Sequence, residues 1–272
     1  MQVSVVSILC MALSALIAIG LPVVLFVVFY NTYNARIVPM LMGAAGFVLF
    51  VMVLERSLHL MVFSSIALAE KPVLYIMYGS LMAGLFEETA RFLSFAILKR
   101  KYDGIGTGLA YGIGHGGIES ILLVGLAMIN TILLSITVNA GNLDTITGGL
   151  RADVAAQVNA QLHTVLTTPA HLFLVSGLER VFAISIQLAL SVAVFYAVYG
   201  KHTAWLYPCA ILAHALFDVP AAAMQVGVIK NMVVVEALTG AGAVVSILIA
   251  IYIHKKIRTQ FLYDMLDKIS LF

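Results

Sequence analysis

Residues 72–98, PVLYIMYGSLMAGLFEETARFLSFAIL, form an apolar stretch long enough to cross a lipid bilayer, yet Glu87, Glu88 and Arg91 lie inside it on about one helix turn. An ionised group at membrane depth costs from about 2.5 to over 10 kcal/mol, depending on the scale used. Three of them together point to use rather than tolerance. Two further apolar stretches carry polar pairs, His115 with Glu119 and His214 with Asp218. The combination points to chemistry inside the bilayer.

The composition agrees. Of 272 residues, 62% are hydrophobic and 10% charged, with a mean hydropathy of +1.06. A soluble domain is about 45–50% apolar and about 25% charged. The apolar runs are long and continuous rather than alternating, so the expected fold is all-α, a polytopic transmembrane helical bundle. Seven stretches are long enough to span: 3–30, 37–55, 72–98, 105–138, 172–199, 203–226 and 231–253. The fourth is rich in glycine and long enough to tilt, to break, or to begin with a short separate helix, which would make eight spans. No basic residue precedes the first apolar run, so residues 1–30 read as a retained helix rather than a cleaved leader. Cys10 and Cys209 both sit in apolar runs and read as small lipid- or core-facing residues.

Basic residues set the orientation. With Lys99, Arg100 and Lys101 inside, Arg36, Lys201 and the tail residues Lys255, Lys256, Arg258 and Lys268 fall inside too, nine in all. Arg56, Lys71, Arg151 and Lys230 fall outside. The N-terminus is then external and the C-terminus cytoplasmic. Residues 1–272 read as one integral membrane domain of a bacterial cytoplasmic membrane, without internal repeat. Residues 139–170, with Asp144, Arg151, Asp153 and Gln157, read as an external, partly helical polar loop. The net charge of +2 carries no signature of nucleic acid. The expected partners are the lipid bilayer and a peptide or membrane-protein substrate.

At a rise of about 1.5 Å per residue, Glu87, His115 and His214 each lie about 18–20 Å from the cytoplasmic boundary, so three helices bring polar centres to one level. Glu87 and Glu88 both reach Arg91 by helical spacing, at i,i+4 and i,i+3. His115–Glu119 and His214–Asp218 are i,i+4 pairs in which an acid can orient one imidazole nitrogen and leave the other facing the site. A glutamate base and a histidine can activate a water, and a second histidine can stabilise an oxyanion, which together describe amide hydrolysis without a serine or cysteine nucleophile. Glu87, His115 and His214 could alternatively bind zinc. Each set also has a structural reading, as a buried ion pair or an interhelical polar clamp. Broken helices and buried charges mark transport sites as well, so a non-catalytic transporter, sensor or bacteriocin-immunity-type peptide-binding protein is the alternative. Glu179 and Arg180 read equally as a structural pair or as part of a substrate path. His163 and His171 read as exposed, and His59, His202 and His254 as ordinary interfacial residues.

The motifs Glu87-Glu88-Thr89-Ala90-Arg91, Tyr111-Gly112-Ile113-Gly114-His115 and His214-Ala215-Leu216-Phe217-Asp218 resemble those of the CAAX-protease and bacteriocin-processing superfamily of intramembrane proteases. The YhfC-like bacterial membrane proteins, alongside the PrsW-like proteases, are the branch most similar in pattern. The resemblance covers residues 87–218. It departs from the CAAX enzymes in placing the arginine one position earlier, in Tyr111 where they have phenylalanine, and in Asp218 where they have asparagine. What the resemblance implies is an endopeptidase of glutamate type or metal-dependent. Glu87 would be its water-activating base and His115 would position the water. Glu88 and Arg91 would act as electrostatic support, and His214 with Asp218 would serve the oxyanion. Tyr111, Glu119, Glu179 and Arg180 are the accessory candidates.

Overall fold

In a computed structural model, which describes residues 2–65, 68–143 and 147–270, the chain is helical as expected. The helices are α1 (Val5–Tyr33), α2 (Ile37–Phe47), α3 (Arg56–Ser65), α4 (Pro72–Leu98), α5 (Ile105–Ser120), α6 (Leu126–Asn139), α7 (Ala152–Thr167), α8 (Ala170–Tyr199), α9 (Leu206–Gln225) and α10 (Met232–Ser270). Among the described residues, six helical stretches are long and apolar enough to cross a membrane: Val5–Tyr33, Ile37–Ser64, Ile105–Asn139, Ala170–Tyr199, Leu206–Gln225 and Met232–Ile257. α4 is 27 residues long, about 40 Å of helix, but carries Glu87, Glu88 and Arg91 and is less apolar than these six. The chain is a multi-pass integral membrane protein.

One boundary differs from the sequence reading. The second helical stretch does not stop at residue 55. It runs on through a π-helical segment, Val48–Glu55, into α3. The first charged residues there, Glu55 and Arg56, do not end the helix. The fourth stretch agrees with its expected bounds: α5 is followed by a π-helical segment, Ile121–Gly125, and then by α6, with no separate leading helix. The polar connection holds a regular 16-residue helix, α7, whose Leu162 and Val165 are buried. Asp144 lies outside the described residues.

The chain divides into two compact units. The first comprises Met1–Val23 and Glu119–Val181. Its core gathers Met11, Val138, Leu162, Val165 and Phe173. Asn139 ties the end of α6 to the chain start, accepting from the Val3 amide at 2.7 Å and donating to the Val3 carbonyl at 2.9 Å.

The second unit comprises Val24–Ile118 and Phe182–Phe272 and holds the candidate site. Its core is aromatic. Phe195 stacks on Tyr199 at 4.2 Å, while Phe95 packs against Tyr111 at 4.8 Å and Phe195 at 5.9 Å. Helices within it approach to backbone contact through glycine. A Cβ at Gly114 of α5 would strike the Met40 carbonyl of α2, and one at Gly84 of α4 would meet the backbone of Ile211 and Ala215 on α9. Between membrane helices, where lipid is as apolar as any side chain, such close packing supplies much of the association.

These two glycines fix the separations on which the site depends. Gly114→Ala is expected to destabilise the protein by about 1–3 kcal/mol, as overpacking does, while Gly104→Ala, where the left-handed backbone (φ +75°) meets open space, costs only conformational strain of about 1 kcal/mol. Thermal unfolding of the two variants in one detergent checks the ranking.

Candidate functional site

Four helices deliver the polar residues of the second unit. α4 supplies Glu87, Glu88 and Arg91, α5 supplies His115, α8 supplies Gln187 and Ser191, and α9 supplies His214 and Asp218. Arg91 is completely enclosed and is the hub. Its Nη1 donates to Glu88 Oε1, its Nη2 to Gln187 Oε1, and its Nε to Ser191 Oγ at 3.2 Å. The Gln187 carbonyl oxygen is thereby taken, which leaves its amide nitrogen to donate to Glu87 Oε2 at 3.0 Å. His115 Nε2 hydrogen-bonds the same oxygen at 2.8 Å.

The two glutamates therefore differ in kind. Glu88 is ion-paired with Arg91, and its Oε1 also takes a hydrogen bond from His214 Nδ1 at 2.6 Å. Glu87 Oε2 stands 3.6 Å from Arg91 Nη2 and faces both imidazoles, with His214 Nε2 at 3.7 Å. Adjacent helical residues point about 100° apart, so the division follows from the backbone. Tyr111 is fully buried and its ring lies nearly parallel to that of His115 at 5.9 Å, while Phe47 meets His115 edge-on at 5.3 Å. The imidazole is held on two sides.

Two pairings run between helices, which spacing along one helix does not name. His214 is oriented by Glu88 across the α4–α9 contact, whereas Asp218, one turn along, stays 3.6 Å from Nε2. The backbone approach at Gly84 makes the cross-helix carboxylate the nearer one. Glu119 pairs with Arg180 at 3.1 Å. Arg180 also pairs with Glu179, so these three accessory candidates form an ion cluster in the first unit. Glu87 places a carboxylate on His115.

Three further residues belong to the polar set although the motif spacings do not single them out. Gln187 and Ser191 are polar positions four apart in an apolar helix, the same spacing that marks the other sets. Glu55 is buried at the end of the π-helical segment, with His59 four residues on and its Nε2 at 3.2 Å. The pair has the i,i+4 spacing of His115–Glu119 and His214–Asp218 in the reverse order.

The donor types at the centre, two imidazole nitrogens around one carboxylate, match an open zinc site. Among the described residues no set of three His, Cys, Asp or Glu side chains already has metal-ligand spacing. The 2.8 Å between His115 and Glu87 is a hydrogen-bond length, shorter than the roughly 3.3 Å between two ligands of a tetrahedral zinc. The residues fit such a cation in chemistry, and the carboxylate would turn to receive it.

Over residues 14–239 the chain matches the family described as YhfC intramembrane metalloprotease. It is 34% identical over 250 residues to a Bacillus subtilis (strain 168) protein described as "Uncharacterized membrane protein YhfC", covering 90% of this chain and 96% of that one. No solved structure matches.

The geometry separates a structural arginine from a reactive glutamate. Arg91→Ala leaves Glu88 buried without its cation and is expected to cost about 3–5 kcal/mol. Glu87→Gln keeps the shape and a hydrogen-bonding group, and is expected to cost about 1 kcal/mol. Unfolding curves for the two variants in detergent measure the difference.

Proposed function

Because the chain belongs to the YhfC intramembrane metalloprotease family, we propose that it is an intramembrane peptidase that hydrolyses a peptide bond in a peptide or small membrane protein, with a water activated by Glu87. A bacterial cytoplasmic membrane is the setting that fits its relative. One observation carries the reading: Glu88 is committed to Arg91, while Glu87 faces His115 and His214 with the same oxygen.

Glu87 Oε2 and His214 Nε2 are 3.7 Å apart, a gap that one oxygen atom at hydrogen-bonding distance from both would bridge. Glu87 removes a proton from that water as its oxygen attacks the scissile carbonyl. His115 and Gln187 hold the carboxylate in place. The negative charge that develops on the carbonyl oxygen is met by His214, whose other nitrogen is bonded to Glu88 and so keeps the ring in position. The proton held by Glu87 then passes to the leaving nitrogen as the C–N bond breaks, giving a carboxylic acid and an amine. Asp218, near the open side of His214, helps to set that imidazole. Glu87, His115 and His214 would hold a metal ion if one binds. A divalent cation such as zinc supplies a Lewis acid that polarises the carbonyl and the attacking water.

Glu87→Gln in the full-length protein in liposomes is expected to lower cleavage of membrane-spanning peptides by about 10²–10⁴-fold, read by mass spectrometry. Metal content of the purified protein distinguishes the two forms of the mechanism. About one equivalent of zinc, lost in His115→Ala, assigns the cation to these ligands. Cleavage by metal-free protein that survives chelation assigns the work to the side chains.

A further inference from the structure

Glu55 belongs to the same polar set but has no role in the mechanism just described, yet it is placed with care. It closes the π-helical segment Val48–Glu55 and is buried, while Leu54 and Arg56 on either side are exposed. Helical segments of this kind are rare and concentrate at functional sites. Glu55 Oε1 is 3.2 Å from His59 Nε2, whereas Oε2 is buried with no hydrogen-bonding partner. A polar oxygen removed from water and left unpaired is costly, so one that persists calls for a role. His59 Nδ1 bonds the Tyr78 hydroxyl at 3.0 Å, and the two rings stand 5.3 Å apart beside the carboxyl. Phe63 packs against both rings.

The pocket faces more carboxylates than cations, with the His214 and His59 imidazoles set among them. Glu55 interacts electrostatically with Glu87, His214 and Asp218, and Glu88 lies beside Glu87. Arg91 is already taken up by Glu88, Gln187 and Ser191. The Asp218 side chain, 39% accessible, is the most exposed member of the set and places an acid at its outer edge.

We propose that Glu55, walled by the rings of Tyr78 and His59, is a subsite for an alkylammonium or guanidinium group of the substrate, so that the cleaved segment carries a positive charge close to the scissile bond. The inference rests on the peptidase reading and names its substrate class. Oε2 supplies the ion pair and the Tyr78 ring supplies cation–π contact, the pairing that proteins use to hold organic cations. The cation has two sources, a lysine or arginine side chain or the amino terminus of a peptide.

The test uses full-length Glu87→Gln protein in detergent, which leaves bound peptides intact, and fluorescent apolar peptides of about 20 residues. Three probes differ only in charge: an N-acetylated peptide with a central lysine, the same peptide with norleucine, and the norleucine peptide with a free amino terminus. The lysine peptide is expected to bind at least about tenfold more tightly than its acetylated norleucine twin. Adding Glu55→Gln should abolish that advantage, and Glu55→Asp should keep part of it. Tyr78→Leu, which removes the ring and spares the carboxyl, should reduce it severalfold. If the free amino terminus alone confers the advantage, the subsite takes a chain end. Equal binding of all three probes, or a lysine preference untouched by Glu55→Gln and Tyr78→Leu, overturns the subsite. Failure of the peptidase reading shows separately, as wild-type cleavage unaffected by Glu87→Gln.

Discussion

The buried ion pair between Arg91 and Glu88 is the constraint on which the rest of the site depends. A guanidinium with no solvent contact carries a desolvation penalty of several kcal/mol, and the ion pair helps to offset it because each of the three nitrogens donates to an oxygen. Satisfying those donors fixes the neighbours in turn. Gln187 must turn its carbonyl toward Arg91 and hence its amide toward Glu87. Glu88, held by Arg91, can hold His214. The orientation of four side chains on three helices follows from one cation.

That network needs helices closer together than apolar side chains allow. Gly84 brings α4 against α9, so Glu88 reaches His214, and Gly114 brings α5 against α2 one residue from His115. The glycines in this stretch exchange side-chain volume for backbone proximity, which in a bilayer is a main source of helix association. The π-helical segment does the complementary task on the second helical stretch. It turns Glu55 inward, between outward-facing Leu54 and Arg56.

Much of this is legible in the amino-acid sequence. The helical class follows from long apolar runs, and the convergence of Glu87, His115 and His214 follows from equal depth on separate helices, because rise per residue is nearly constant. Which carboxylate orients which histidine is not legible there. Spacing along one helix names candidates such as Asp218 and Glu119, but the partner is chosen by distances between helices, here Glu88 and Glu87. Gln187 and Ser191 stay hidden because uncharged polar residues barely disturb hydropathy. Glu55 stays hidden because an acid at the end of an apolar run resembles a boundary, and the wide helical turn that buries it leaves no mark in residue pattern.

The central claim is that Glu87 activates a water that cuts membrane-embedded peptide. The most direct measurement is quantitative peptidomics of membranes and medium from cells carrying either the wild-type chain or Glu87→Gln at matched abundance. The account predicts a set of cleavage fragments present with the wild type and absent with the variant, with the intact parent chains accumulating instead. Indistinguishable fragment sets in the two strains would contradict it and leave the buried carboxylates a structural network alone.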